Sequence, residues 1–137
     1  MNIIIRDYSN FQMEEILQLY NSVSWSNYTN NPTMLEAAIT HSLRVLAAFI
    51  EDRLIGLIRF VGDGYSIIYI QDIIVLPEFQ RNGIGKLLIQ EIDTLYPHVY
   101  QKVLLTDNQP RSIRFYEGCG FSLSDDFQCV AFVKFPS

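Results

Sequence analysis

The chain has few residues that would let disulfides or metals supply its stability. It contains two cysteines and two histidines in 137 residues. Cys119 and Cys129 lack the Cys-x-x-Cys or Cys/His spacing of a metal site, and His41 and His98 are isolated. We therefore expect no metal, and cysteines that are reduced and packed as small apolar groups. A chain of this length buries enough surface to fold without either device.

The sequence also lacks an excess of positive charge and a long apolar run. Ten Lys and Arg against fifteen Asp and Glu give a net charge of -5, which argues against a nucleic-acid partner. The most apolar stretch is interrupted at Gln71 and Asp72 and is far shorter than the ~20 residues that span a membrane. Arg6 and Asp7 interrupt the N-terminal apolar run before a signal peptide could form. We expect a cytoplasmic protein with no nucleic-acid and no membrane partner.

What the chain does have is apolar residues, with 49% hydrophobic against 18% charged. This composition, at a length near the commonest domain size, predicts one domain over residues 1–137. Periodicity predicts a strand, two helices, three antiparallel strands, a helix, a strand, a helix and two last strands. The expected fold is α/β (α+β), with a mixed, mostly antiparallel sheet of about seven strands and four helices.

Local signals refine several of these predicted elements. Residues 24–32 are polar and aromatic and are predicted to be a loop, after which Thr33 opens a Thr-x-x-Glu capping box and a helix. The last two strands are predicted around residues 121–122 and 129–134. These elements leave few residues for anything but the core and its connecting loops.

The clearest chemical signal is a glycine-containing turn that connects the most apolar predicted strand to the following helix. Its pattern is Gln80-x-x-Gly83-x-Gly85. Glycines let the backbone approach a ligand, and the unpaired N–H groups of a helix N-terminus attract anions. Arg81 and Lys86 add full positive charges. The pattern favours a pyrophosphate site, and the plainer interpretation is a strand-to-helix loop with structural glycines.

Two segments of the chain carry linked motifs. Residues 70–92, IQDIIVLPEFQRNGIGKLLIQEI, place a Gln-x-x-Gly-x-Gly pattern after a strand. Residues 103–121, VLLTDNQPRSIRFYEGCGF, are predicted to form the following strand and helix. Both segments resemble the signature elements of the GCN5-related N-acetyltransferase (GNAT) family, and the predicted order of elements resembles the family's fold over nearly the whole chain. The resemblance implies a single-domain GNAT fold and an acetyl-CoA-dependent N-acetyltransferase that uses no metal.

The resemblance also implies which residues would hold acetyl-CoA. The pantetheine arm would pair with the strand backbone of Ile73, Ile74 and Val75. The pyrophosphate would lie in the turn formed by Arg81, Asn82, Gly83, Ile84, Gly85 and Lys86. In the second motif Asn108 stands one place before the family's usual asparagine, where this chain has Gln109, so either residue is a candidate for the cofactor contact.

Two residues are candidates for the chemistry of acetyl transfer. Tyr116 matches the family's general acid, which protonates the departing CoA thiolate, and its alternative is a half-buried structural tyrosine. Asp72 is a carboxylate inside an apolar strand and needs an explanation. It would act either as the base that relays the amine's proton or as a structural acceptor for the 24–31 loop.

The acceptor amine is predicted from the region between the first two helices. Trp25 and Tyr28 would line an aromatic pocket suited to an arylalkylamine or a polyamine, or would only close the core. Residues 19–25, LYNSVSW, and the glycine motif are most similar to the small bacterial and plant serotonin N-acetyltransferase-like branch.

The predicted function is transfer of acetyl from acetyl-CoA to the primary amine of a small molecule, by direct attack in a ternary complex. Two alternatives stay open: a protein lysine or N-terminal acetyltransferase, and an acyl-CoA-binding sensor without catalysis. A homodimer is also left open.

Overall fold

The computed structural model describes residues 2–136. It contains ten regular helices and strands, which in chain order are β1 (Ile3–Asp7), α1 (Met13–Ser22), α2 (Ser26–Thr29), α3 (Pro32–Thr40), β2 (Arg44–Ile50), β3 (Arg53–Gly62), β4 (Ile67–Val75), α4 (Ile84–Leu95), β5 (Gln101–Leu104) and α5 (Pro110–Gly118). Short 3-10 turns follow β4 and α5. None of the helices in this part of the chain is long and apolar enough to cross a bilayer.

The five strands form one sheet in the order β1-β2-β3-β4-β5. The first four pair antiparallel, with short connections from β2 to β3 and from β3 to β4, and β5 lies parallel to β4 after the crossover through α4. β5 pairs only with the first part of β4, from Ile67 to Ile70. The last five residues of β4 therefore extend beyond the end of β5.

The chain forms two compact units, one up to Leu105 and one from Thr106 onward. In the first unit, helices cover both faces of the sheet. Arg59 on β3 contacts α2 through Tyr28, whereas the space above Gly56, on the opposite face of β3, is closed by Ile84 of α4. β3 is consequently buried along most of its length.

The predicted mixed α/β fold is confirmed, but the predicted count of seven strands and four helices is wrong. The described residues contain five strands and five α-helices. Residues 121–122 and 129–134 lie in no strand, although the second of these segments is rich in strand-forming residues. A strand needs a partner for its backbone as well as a suitable composition, and no backbone pairing occurs for residues 130–136 within the described chain.

The region predicted to be a loop, residues 24–32, contains the single helical turn α2 and the first residue of α3. Asn31 caps α3, since its side-chain oxygen accepts a hydrogen bond from the backbone N–H of Met34 at 3.3 Å. Pro32 occupies the first helical position, where its missing N–H costs nothing. The predicted cap at Thr33 is therefore wrong, because a better cap stands two residues earlier.

Candidate active site

The turn between β4 and α4 has the backbone geometry of an anion site. Gly83 precedes the first residue of α4 with a φ of 76°, in the left-handed region that favours glycine. Arg81 has a φ of 68°. The side-chain amide of Asn82 donates to the carbonyl oxygens of Phe79 at 3.1 Å and of Gln80 at 3.2 Å. These bonds hold the turn in shape without using the N–H groups of the helix.

The first turn of α4 offers those N–H groups to a ligand. The backbone N–H of Leu87 is the first to bond into the helix, to the carbonyl of Gly83 at 3.0 Å. The N–H groups of Ile84, Gly85 and Lys86 have no recorded backbone acceptor in residues 2–136. The first turn carries no acidic side chain, so the helix dipole and the exposed Lys86 give the turn a positive potential.

The end of β4 has an open backbone edge. The N–H of Leu76 donates to the carbonyl of Ile55 at 2.9 Å, so this residue faces β3. Backbone groups alternate in direction along a strand, and the N–H and C=O groups of Ile73 and Val75 therefore point away from β3, where β5 has ended. Ile74 directs its backbone toward β3. On the open side the side-chain amide of Gln80 donates to the carbonyl of Val75 at 3.0 Å.

Asp72 forms a buried ion pair on the same strand. Its Oδ2 accepts from the guanidinium of Arg59 at 2.7 Å and from the hydroxyl of Tyr20 at 2.8 Å. Asp72 is 2% exposed and Arg59 is 5% exposed. Burial disfavours the charge of Arg59, but the Asp72 carboxylate outweighs it and raises the pKa of the guanidinium.

Two tyrosines contact this ion pair, and a tryptophan packs against both of them. The rings of Tyr20 and Tyr28 lie edge to face at 5.2 Å, and the half-buried Trp25 lies 6.1 Å from Tyr20 and 6.3 Å from Tyr28. The hydroxyl oxygen of Tyr28 accepts from the guanidinium of Arg59 at 3.2 Å and from the side-chain amide of Gln71 at 3.2 Å. Burial and then the Asp72 charge raise the pKa of both tyrosines, so both hydroxyls stay protonated.

The second compact unit holds the other predicted residues. Tyr116 is half-buried on α5, with its ring 5.0 Å from that of Phe115 and 6.1 Å from that of Phe121. Burial and then the charge of Cys119 raise the pKa of the Tyr116 hydroxyl to about 12. Asn108 is exposed, and its side chain makes no hydrogen bond within the described residues.

The structure brings several predicted residues together. Arg81 to Lys86 form one continuous turn, and Tyr28 joins the Asp72 pair through Arg59. Tyr20 and Arg59 were missed by the sequence analysis. A signal for Arg59 exists, because it is a lone charge inside the apolar β3, directly opposite the lone charge Asp72 on β4. Opposite charges isolated in two adjacent strands predict a buried pair.

Comparisons with known proteins agree with this arrangement. The sequence profile of the acetyltransferase (GNAT) family matches residues 10–121. An uncharacterized N-acetyltransferase, ycf52, of Gracilaria tenuistipitata var. liui is 27% identical over 133 residues, which are 92% of this chain and 70% of that protein. These matches confirm the predicted N-acetyltransferase class. They do not support the narrower serotonin N-acetyltransferase-like branch.

Solved structures share the fold over its full length. A GNAT family acetyltransferase from Streptococcus pneumoniae TIGR4 is 36% identical, with a TM-score of 0.88 and 98% of each chain covered. The aminoglycoside acetyltransferase AAC(6')-Iy, solved with a bisubstrate analogue of CoA and acetylneamine, has a TM-score of 0.76 at 17% identity, with 100% of each chain covered. Given the profile match, the close structural relative and the anion turn after β4, this chain belongs to the GNAT family of acetyltransferases.

Proposed function

We propose that the chain transfers the acetyl group of acetyl-CoA to the primary amine of a small molecule, by direct attack in a ternary complex. The observation that carries the proposal is the open edge of β4 followed directly by the anion turn of residues 81–86. A molecule that fits both must have amide groups at one end and a phosphate-like anion further along. The pantetheine arm and the pyrophosphate of CoA have this order.

The two parts of the site have distinct tasks in this proposal. The backbone groups of Ile73 and Val75 pair with the amides of the pantetheine arm, as an added strand does. The free N–H groups at the start of α4, with Arg81 and Lys86, hold the pyrophosphate. AAC(6')-Iy supports this assignment, because that protein has the same fold and was solved with a CoA-based bisubstrate analogue.

Tyr116 is proposed as the proton donor of the reaction. The bound thioester supplies the acetyl group, and the protein has to protonate the thiolate that departs. With a pKa near 12, Tyr116 keeps its proton across the neutral pH range, so the acid is always in its active form. Asn108 and Gln109 remain the two candidates for a further contact with the cofactor.

For Asp72 we propose a positioning role. Its Oδ2 already accepts two short hydrogen bonds, and the carboxylate is 2% exposed. A general base has to reach the proton it removes, directly or through one water. The ion pair instead joins α1 and α2 to the sheet and thereby fixes the aromatic side chains of Trp25 and Tyr28. The competing prediction, that Asp72 is the base, is tested by the Asp72→Asn variant described in the Discussion.

The acceptor is proposed to be an amine that packs on the aromatic cluster. The half-buried indole of Trp25 offers a ring face for an aromatic or cationic group. Trp25→Ala should raise the KM for the amine at least several-fold and leave the affinity for CoA unchanged. A lower affinity for CoA with an unchanged KM for the amine would remove Trp25 from the acceptor site.

The decisive experiment follows free thiol release from acetyl-CoA in the presence of separate amine classes. An arylalkylamine, a polyamine, an aminoglycoside and a lysine-containing peptide cover the alternatives. Release with at least one of the three small-molecule amines is expected, and calorimetry should show CoA binding. Release only with the peptide would establish a protein acetyltransferase, and CoA binding without any release would establish a sensor.

A further inference from the structure

A small cavity opens between α1, the first residues of β3 and the residue that follows β4. Its volume is about 130 Å³, close to the about 150 Å³ of an apolar cavity that holds a benzene molecule. All of its lining residues belong to the compact unit that ends at Leu105. They are Glu15, Gln18, Leu19, Arg53, Leu54 and Leu76.

The cavity has an apolar floor and a polar rim. Leu19, Leu54 and Leu76 are buried and form the apolar part. On α1, the half-buried Glu15 and the exposed Gln18 contribute a carboxylate and an amide. An aliphatic group that ends in a polar atom matches such walls, because its methylenes can contact the leucines while its end reaches the rim.

Glu15 carries a negative charge that no cation of the described chain neutralises. Its Oε2 accepts from the hydroxyl of Tyr8 at 2.6 Å, and its Oε1 makes no hydrogen bond within residues 2–136. Burial, and then the hydrogen bond to Glu15, raise the pKa of the Tyr8 hydroxyl, so Tyr8 stays protonated and holds the carboxylate in place. A half-buried carboxylate without a counter-ion is stabilised by a cationic ligand.

The one cation among the described lining residues is bound elsewhere. One terminal nitrogen of Arg53 donates to Glu78 at 2.7 Å, and the other lies 3.5 Å from the same carboxylate. The guanidinium also lies 5.3 Å from the ring centroid of Phe79. Since Glu78 neutralises Arg53, the charge of Glu15 stays available and gives the cavity a preference for a cation.

The cavity adjoins both parts of the proposed acetyl-transfer site. Leu76 directly follows Val75, whose backbone lies on the open edge of β4. Leu19 directly precedes Tyr20, whose ring packs against the aromatic side chains of the ion-pair region. Glu15 precedes Tyr20 by five positions on α1, which is about 7.5 Å along the helix axis. A short aliphatic chain can span this separation.

We propose that the cavity binds the second ammonium group of an aliphatic diamine or polyamine while another amine of the same molecule is acetylated. Glu15 is the counter-ion, and the side-chain carbonyl of Gln18 accepts a further N–H of the ammonium group. The three leucines contact the methylenes. This assignment rests on the proposed function and narrows its acceptor to linear amines with at least two cationic groups.

The test compares cadaverine with pentylamine, which has the same carbon chain and lacks the second ammonium group. Thiol release from acetyl-CoA should give a kcat/KM for cadaverine about tenfold or more above that for pentylamine. Glu15→Gln should lower this ratio about tenfold through the KM for cadaverine. Glu14→Gln is the matched control, because it removes the same charge from the first turn of α1 at an exposed position outside the cavity, and its ratio should stay unchanged.

Calorimetry without acetyl-CoA separates the cavity from the proposed function. Cadaverine should bind the unaltered chain, and Glu15→Gln should weaken this binding about tenfold. That result without thiol release from any amine would refute acetyl transfer and leave the cation site standing. Thiol release with equal kcat/KM values for cadaverine and pentylamine would overturn the cation site and leave acetyl transfer standing. Equal ratios in Glu15→Gln and Glu14→Gln would overturn it as well.

Discussion

Two isolated charges in the apolar strands β3 and β4 define the most constrained residues of the molecule. Arg59 and Asp72 are both nearly inaccessible, and each has lost the hydration that a charge normally keeps. Their mutual contact and the bonds to Tyr20 and Tyr28 compensate for this loss. Removing one member leaves the other charged and buried, which is the costly outcome for a buried pair.

Asp72→Asn should therefore destabilise the protein strongly. We expect the free energy of unfolding to fall by about 3–5 kcal/mol, the range seen when one partner of a buried pair is removed. Asp7→Asn is the matched control, because it breaks the exposed Arg44–Asp7 pair at the same 2.7 Å separation and should cost about 0–1 kcal/mol. Urea unfolding of the three proteins measures both effects.

The activity of Asp72→Asn distinguishes a positioning role of Asp72 from a role as general base. A positioning residue predicts a raised KM for the amine and a nearly normal kcat for the folded fraction. If Asp72 is instead the general base, kcat should fall about 10²–10⁴-fold, with most of the loss at low pH. The second result would reject the positioning role.

Tyr116→Phe should lower turnover about 10²–10⁴-fold if the hydroxyl is the general acid. CoA affinity should stay nearly constant, since the ring is retained. The raised pKa of Tyr116, about 12, means that its protonated form is lost only as the pH rises toward that value. The rate of the unaltered enzyme should therefore show no decline from this group below about pH 10. Full activity of Tyr116→Phe across the pH range would exclude the hydroxyl from the mechanism.

At the scale of the elements, the turn before α4 needs a glycine at position 83 because of its backbone conformation, not because a side chain would lack room. A Cβ at Gly83 would meet no atom within 4 Å, but the φ of 76° is unfavourable for any side chain. Gly83→Ala should thus distort the turn, at a conformational cost of about 1–2 kcal/mol, and misalign the N–H groups that face the ligand.

We expect Gly83→Ala to weaken CoA binding about tenfold or more and to leave pantetheine binding unchanged, because pantetheine lacks the pyrophosphate. Gly118→Ala is the control, since this helical glycine also has open space around its Cβ. Titration calorimetry with both ligands measures the difference. An equal loss for the two ligands would place the defect outside the pyrophosphate site.

Some of these elements could be predicted from the sequence alone, and others could not. α4 was predictable because its apolar spacing and glycine turn are both local signals. The Arg59–Asp72 pair depends on register, which shifts where Gln71 is inserted as an extra residue in β4. Residues 129–134 were predicted to be a strand from composition, yet pairing is decided by a partner that composition does not specify.

At the scale of the whole molecule, the net charge of the chain and the local charge of the 81–86 turn have opposite signs. The chain carries a net charge of -5, whereas the 81–86 turn is basic. A negative surface raises the local concentration of a cationic amine, and salt screens this attraction. We expect the KM for a charged amine to rise several-fold between low salt and about 0.5 M salt, with kcat unchanged.

The same amine above its own pKa provides the control, because its neutral form should show no dependence of KM on salt. If the KM values of the charged and the neutral amine change equally with salt, salt acts on the conformation of the protein and not on long-range attraction of the amine.

The contact between Gln80 and the Val75 carbonyl has a consequence for the protein before any ligand arrives. The end of β4 is an unpaired strand edge next to apolar residues, and such edges recruit strands from other molecules. The Gln80 amide occupies one acceptor on that edge at 3.0 Å. The Gln80 side chain thus shields part of this edge from strand addition in the free protein.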